Sequence, residues 1–205
     1  MKRILFQGDS ITDFMRSRDN DNFRGMGYTT LVSAELGFDY PNEYEFINRG
    51  ISGDRIVDIY ARIKKDIINL KPDVLSILIG INDVWHELEA GNGVATEKFE
   101  KVYNLIIEEV KAELPDIRIM IFEPFVLKGS ATEEKWEEFR RDAEEKAAAS
   151  KRVAEKNNLE FIPLMEKFDK LTEKVSSGYW LYDGVHPTAM GFELIAREWI
   201  KAFKK

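Results

Sequence analysis

Cysteine is absent from the 205 residues. That excludes a disulfide framework, a thiolate metal site and a cysteine nucleophile, and it fits a reducing compartment. Histidine is scarce as well. With two in the whole chain there is no histidine-rich ligand cluster, and scattered carboxylates are ordinarily surface groups, so no metal and no other cofactor is expected. Positive charge is in deficit, 30 Lys and Arg against 37 Asp and Glu for a formal net charge of -7. Such a balance disfavours the phosphate backbone of nucleic acid as a partner. A Walker-type phosphate loop is missing, which weakens a nucleotide-binding reading. Long apolar runs are missing too: after Met1-Lys2-Arg3 the run Ile4-Leu5-Phe6 breaks at Gln7, too short for a signal-peptide core or a membrane span. The expectation is a cytoplasmic protein with no membrane partner.

What is present is the composition of a soluble globular chain, 44% hydrophobic and 33% charged, long enough to bury a core in a single domain covering residues 1–205. There is no internal repeat and no low-complexity linker. Short apolar segments alternate with longer helical patterns. Ile4-Leu5-Phe6 reads as a first strand and Tyr44 to Asn48 as a second. Val74 to Ile79, the most hydrophobic, reads as a central third, Ile117 to Phe122 as a fourth and Leu159 to Pro163 as a fifth. Between them, Tyr28 to Leu36 closes at Gly37 as a helix. A second helix starts beyond an Asp54 N-cap and keeps Ile56, Ile59, Ile63, Ile67 and Leu70 on one face until Pro72. Thr96 to Leu114 is a third. Glu133 to Asn157, rich in Glu, Lys and Ala, reads as a long and largely solvated helix, and Thr188 to about Lys201 as a closing amphipathic one. Strand and helix alternating in this way call for a parallel sheet with helices on both faces, and sites in such sheets form beyond the carboxyl ends of the strands.

Polar loops follow the first three strands, so Ser10, Gly53 and Asn82 are placed to meet. Ser10 lies in Gly8-Asp9-Ser10-Ile11-Thr12-Asp13, where a strand ends in a tight turn and a helix begins. Serine needs a base to take its proton, and histidine is the usual one near neutrality. His186 stands three residues after Asp183, close enough for the carboxylate to hold the ring in one tautomer. His86 has no such neighbour. Taken singly, each residue is more often a turn or cap residue than a catalyst. Ser52 is set aside as a nucleophile because Gly50-Ile51-Ser52-Gly53-Asp54 misplaces the second glycine of a Gly-x-Ser-x-Gly elbow. Asp9, Asp13, Asp54 and Asp83 are assigned to turns and caps. The segment Phe14 to Gly27 reads as a loop of unassigned role.

Taken together, Gly8-Asp9-Ser10, Gly53, Gly80-Ile81-Asn82-Asp83 and Asp183-Gly184-Val185-His186 resemble, in order and spacing, the four blocks of the SGNH (GDSL) hydrolases. The stretches Asn48 to Gly53, Ile79 to Trp85 and Asp183 to Pro187 are similar to the branch containing bacterial intracellular acetyl-xylan esterases. The resemblance implies a three-layer α/β/α fold of flavodoxin-like type around a five-stranded parallel sheet. It also implies Ser10 as nucleophile, His186 as general base and acid, and Asp183 as its orienting partner. The N–H groups of Ser10 and Gly53 and the Asn82 amide would then form an oxyanion hole. Trp85, Tyr179 and Trp180 border those blocks and are the candidate substrate-binding aromatics. With no long apolar segment left over for an acyl-chain tunnel, a small acyl group is favoured, and the resemblance points to acetyl esters of xylo-oligosaccharides or related sugars. A short-chain aryl esterase, lysophospholipase or thioesterase would use the same triad, and a non-catalytic carbohydrate-binding module is the reading from another class. The related branch contains oligomers, which leaves room for a homo-oligomer here.

Overall fold

Side chains on β1 (Lys2–Gly8) alternate between two hydrophobic clusters: Ile4 and Phe6 enter one, Leu5 the other. A strand covered on both faces must do this. A computed structural model describes residues 1–205, and in it four further strands extend the same pattern. These are β2 (Tyr44–Asn48), β3 (Val74–Leu78), β4 (Arg118–Phe122) and β5 (Glu160–Ile162), all parallel, in the order β2-β1-β3-β4-β5. Phe6 pairs in register with Asn48 on one side and Ser76 on the other. β1 and β3 end level at Gly8 and Leu78, β2 ends two residues short of them, and the loops of all three open at one end of the sheet.

The helices in chain order are α1 (Ser10–Asp13), α2 (Tyr28–Asp39), α3 (Ile56–Ala61), α4 (Ile63–Asp66), α5 (Ile81–Ala90) and α6 (Thr96–Glu113). After them come α7 (Trp136–Lys156), α8 (Met165–Thr172), α9 (Ser177–Trp180) and α10 (Ala189–Phe203). On one face, α2, α8 and α10 supply Tyr28, Val32, Phe168, Phe192, Ile195 and Trp199 to the larger cluster. On the other, α3, α4 and α6 supply Ile56, Ile59, Ile63, Phe99, Tyr103 and Ile106. The result is the three-layer arrangement that the alternating pattern demands. Strand order reverses between β1 and β3, and that crevice is where open parallel sheets place their ligands.

Four expectations are corrected. The helix expected from Ile56 to Leu70 is three pieces, α3, α4 and a 3-10 turn at Ile68–Leu70, with a break at Arg62. Its isoleucines at 56, 59, 63 and 67 are buried all the same, so the apolar period reported burial and not continuity. Asp54 does not cap it; Arg55 occupies that position, and its N–H donates to the Asp58 carboxylate at 2.9 Å. Helix α2 runs through Gly37 to Asp39, because one glycine costs only about 1 kcal/mol inside a helix. Helix α7 is not simply solvated: Phe139, Ala143, Ala147, Ala149, Val153 and Ala154 are buried, and their mostly small side chains let it lie close to both clusters.

Candidate active site

At the end of β1 the chain is crowded rather than bent. A Cβ on Gly8 would collide with the Leu78 carbonyl and the Thr12 side chain, and its φ is not in the left-handed region. Next, the Asp9 carboxylate accepts a hydrogen bond from the Ile11 N–H at 3.0 Å and caps α1. Burial pushes the Asp9 carboxyl up to about 7, the Ile11 N–H and the charge of His186 pulling back only in part. Ser10 therefore opens a capped helix turn, half-buried, on a fixed backbone.

From the far end of the chain, His186 reaches this serine. Its Nε2 lies 2.9 Å from Ser10 Oγ, and its Nδ1 lies 2.7 Å from Asp183 Oδ2. The other Asp183 oxygen, Oδ1, accepts from the backbone N–H groups of Val185 at 2.9 Å and His186 at 2.7 Å. Burial alone would raise the Asp183 carboxyl. The hydrogen bonds from the His186 ring and from these two N–H groups outweigh it and hold the carboxyl below its ordinary value. An ionised carboxylate can only accept, so the proton between them sits on Nδ1. The Nε2 lone pair is then free to take the proton of Ser10.

Two loops carry the donors that the sequence singled out. Gly53 adopts φ +87, a conformation strained for any residue with a side chain, and the space a Cβ would enter is empty. Asn82 sits in the first turn of α5, buried, and its Nδ2 donates to the Asp54 carbonyl at 3.1 Å. That bond uses one of the two amide hydrogens and ties Asn82 to the residue following Gly53. At the end of β2, Asn48 ties a third set: its amide donates to Thr12 O at 2.6 Å and Arg24 O at 2.8 Å, while its oxygen accepts from Gly50 N at 2.9 Å. The 14–27 segment braces the same loop, since Arg16 and Arg18 both donate to the Gly50 carbonyl, at 2.7 and 3.1 Å.

The remaining polar candidates are placed elsewhere. Ser52 donates its hydroxyl to Asp13 Oδ2 at 2.9 Å, and that oxygen also takes Arg18 at 2.6 Å. Asp54 is paired with Arg62. Asp83 accepts the first N–H of α3, that of Ile56, at 3.2 Å; burial drives its carboxyl up to about 8 despite that bond and the nearby Lys146 charge. His86 lies further along α5, near Asp58.

Among the aromatics, Trp85 has its ring centroid 5.8 Å from that of His186 and 6.0 Å from Phe139. Tyr179 is exposed and meets Trp180 edge-on at 4.9 Å, whereas Trp180 packs against the core with its indole N–H buried and unpaired. Sequence reasoning passed over Tyr182, whose exposed ring stacks on His186 at 5.6 Å with an interplanar angle of 16°. Its place four residues before the histidine was the available signal. The loop after β4 was passed over as well. Ala131 N–H donates to Asp183 O at 2.9 Å and Leu127 N–H to Gly184 O at 2.8 Å, so this loop holds the Asp183 segment in place. Beside it, Trp85, Leu88, Phe139, Glu89, Glu134 and Lys135 border a cavity of about 270 Å3.

Comparison with known proteins places this geometry in context. Residues 6–194 match the GDSL-like Lipase/Acylhydrolase family. An acetylxylan esterase of Geobacillus stearothermophilus is 30% identical over 209 residues, spanning 98% of this chain and 93% of that protein. A crystal structure of that esterase superposes with a TM-score of 0.87 at 30% identity, covering 98% of this chain and 93% of the other. A candidate GDSL-like lipase from Parabacteroides merdae superposes with a TM-score of 0.93 at 34% identity, covering 98% and 94%. An α/β hydrolase from the Lake Arreo metagenome gives 0.87 at 26% identity over 98% and 94%. The family match covers nearly the whole chain and the fold agrees throughout, so this chain belongs to the GDSL-like lipase/acylhydrolase family and is an ester hydrolase.

Proposed function

We propose that the protein is a serine esterase that removes acetyl groups from small carbohydrates, xylo-oligosaccharides or related sugars, through an acetyl-enzyme on Ser10. The observation that carries this reading is the unbroken hydrogen-bond chain from Ser10 Oγ through His186 to Asp183. In the proposed reaction, Ser10 Oγ attacks the ester carbonyl as its proton passes to Nε2 of His186. Asp183 stabilises the imidazolium, which then gives that proton to the departing sugar oxygen. Water repeats the sequence in reverse and releases acetate. Charge on the carbonyl oxygen is taken up by the N–H groups of Ser10 and Gly53 and by the Asn82 hydrogen that Asp54 does not use.

The small cavity bordered by Trp85, whose ring lies 5.8 Å from that of His186, is in keeping with this choice of ester. Its wall pairs Trp85 and Phe139 with Glu89, Glu134 and Lys135, an apolar face with hydroxyl-binding groups around it, which suits a sugar ring better than an alkyl chain. The similarity to an acetylxylan esterase supports the same choice. Acetate release from acetylated mono- and oligosaccharides, measured beside acetyl and octanoyl p-nitrophenyl esters with Ser10→Ala as control, tests it. Turnover of the acetylated sugars is expected to exceed that of the octanoyl ester. A preference for the octanoyl ester favours a lysophospholipase or thioesterase instead, and sugar binding without ester turnover favours a binding module.

A further inference from the structure

Arg62 stands at the break between α3 and α4, with only 14% of its side chain exposed. A guanidinium offers five N–H donors in a fixed plane. Here all five are used. Nε and Nη2 donate to Asp54 Oδ2 at 2.8 and 2.5 Å, and the second Nη2 hydrogen goes to Gln7 Oε1 at 2.8 Å. Nη1 donates to the Arg49 carbonyl and to Asp66 Oδ2, each at 2.9 Å. Burying a cation this well is costly unless each hydrogen finds an acceptor, and the acceptors chosen here lie on separate segments.

Those segments are the ones that carry the proposed oxyanion donors. Gln7 belongs to the strand that delivers Ser10, and its oxygen also accepts the Gly8 N–H at 3.2 Å. Arg49 and Asp54 flank the loop that holds Gly53 in its left-handed conformation. The Asp54 carbonyl in turn fixes the Asn82 amide at 3.1 Å. One buried side chain thus spans the Ser10 strand and the Gly53 loop, and reaches Asn82 through a single intervening residue. It also offsets two buried carboxylates, Asp54 and Asp66, which would otherwise oppose the negative charge developing on the carbonyl oxygen.

We infer that Arg62 is a positioning residue that sets the relative placement of the three oxyanion donors, a role that rests on the oxyanion reading of Ser10, Gly53 and Asn82. It touches no reacting atom. Its removal is felt in kcat, because donors a few tenths of an ångström out of place lose strength chiefly toward the charged intermediate.

The experiment is a kinetic cycle on p-nitrophenyl acetate with Arg62→Lys, Asn82→Ala and the double variant, with thermal unfolding of each to fix the folded fraction. Lysine keeps the charge but cannot bridge four acceptor groups at once. Arg62→Lys is expected to lower kcat about tenfold to a hundredfold per folded molecule with KM changed less than about threefold, and to lower it by a clearly smaller factor in the Asn82→Ala background. Asp54→Asn, which loosens the same link from the loop side and leaves the carbonyl to Asn82 in place, is expected to shift kcat in the same direction. Wild-type kcat in Arg62→Lys, or a loss of equal factor with and without Asn82, overturns the inference while a crippled Asn82→Ala leaves the oxyanion reading standing. An Asn82→Ala enzyme with unchanged kcat overturns that reading, and the role of Arg62 with it.

Discussion

At the scale of single residues, the chemistry rests on rarity. A chain with two histidines leaves few ways to activate a serine, and the three-residue spacing from Asp183 singled out His186, the one whose ring lies against Ser10. The same types and distances make the variants predictable. Ser10→Ala and His186→Ala are expected to abolish nearly all ester turnover with the thermal unfolding temperature little changed. Asp183→Asn loses an acceptor that fixes the His186 tautomer and is expected to lower kcat by about 10³–10⁴-fold. Asn82→Ala is expected to lower kcat by about 10²–10³-fold while KM stays close to wild type; a change confined to KM contradicts the oxyanion role. Harder to read from the chain were Tyr182 on the His186 ring and the Ala131 bond to Asp183. Neither leaves a pattern in sequence, because each is a contact whose geometry depends on how a loop closes.

At the scale of elements, the five strands and the main helices were legible because a buried parallel sheet writes itself as short apolar runs between longer amphipathic ones. Boundaries were less so. The break at Arg62 leaves the isoleucine period intact, and at that break one guanidinium meets acceptors on other segments of the chain, which no local pattern records. Helix α5 was missed because Ile81 to Ala90 follows the strand without a polar cap: its N-cap is Gly80, at φ +130. Helix α10 shows the reverse. Thr188 Oγ accepts the Gly191 N–H at 3.4 Å and its own hydrogen reaches the Tyr179 and Trp180 carbonyls at 2.7 and 3.2 Å. Thr188→Ala is expected to cost about 1 kcal/mol in urea unfolding. Because the same hydroxyl holds the turn before Tyr182 and Asp183, kcat is expected to fall with it by a few-fold.

At the scale of the whole molecule, the carboxyl ends of the parallel strands β1, β2 and β3 bring residues from positions 10 to 186 to one end of the sheet. The same convergence buries acid groups there, and this gives the fold a pH dependence of definite sign. Asp9 and Asp83 have carboxyls raised by burial from 3.8 to about 7 and about 8. The folded state therefore binds their protons more tightly than the unfolded chain. Their contribution to stability is complete below the ordinary value and is lost as pH rises through the folded ones. Asp183, held low by its hydrogen bonds, acts the other way: its contribution is present above the ordinary value and is lost on acidification. Unfolding in urea is accordingly expected to grow easier between about pH 5 and pH 9. Asp83→Asn, which keeps an acceptor for the Ile56 N–H, is expected to flatten that slope. An unchanged slope contradicts the burial of a protonated Asp83. The claim that joins all three scales is that one ester carbonyl meets Ser10, and the most direct measurement is intact-protein and peptide mass analysis after acid quenching of turnover on an acetyl ester. The account predicts one acetyl group, on the peptide containing Ser10, absent in Ser10→Ala and accumulating in variants slowed in deacylation. An acetyl group on another residue, or undiminished turnover in Ser10→Ala, contradicts it.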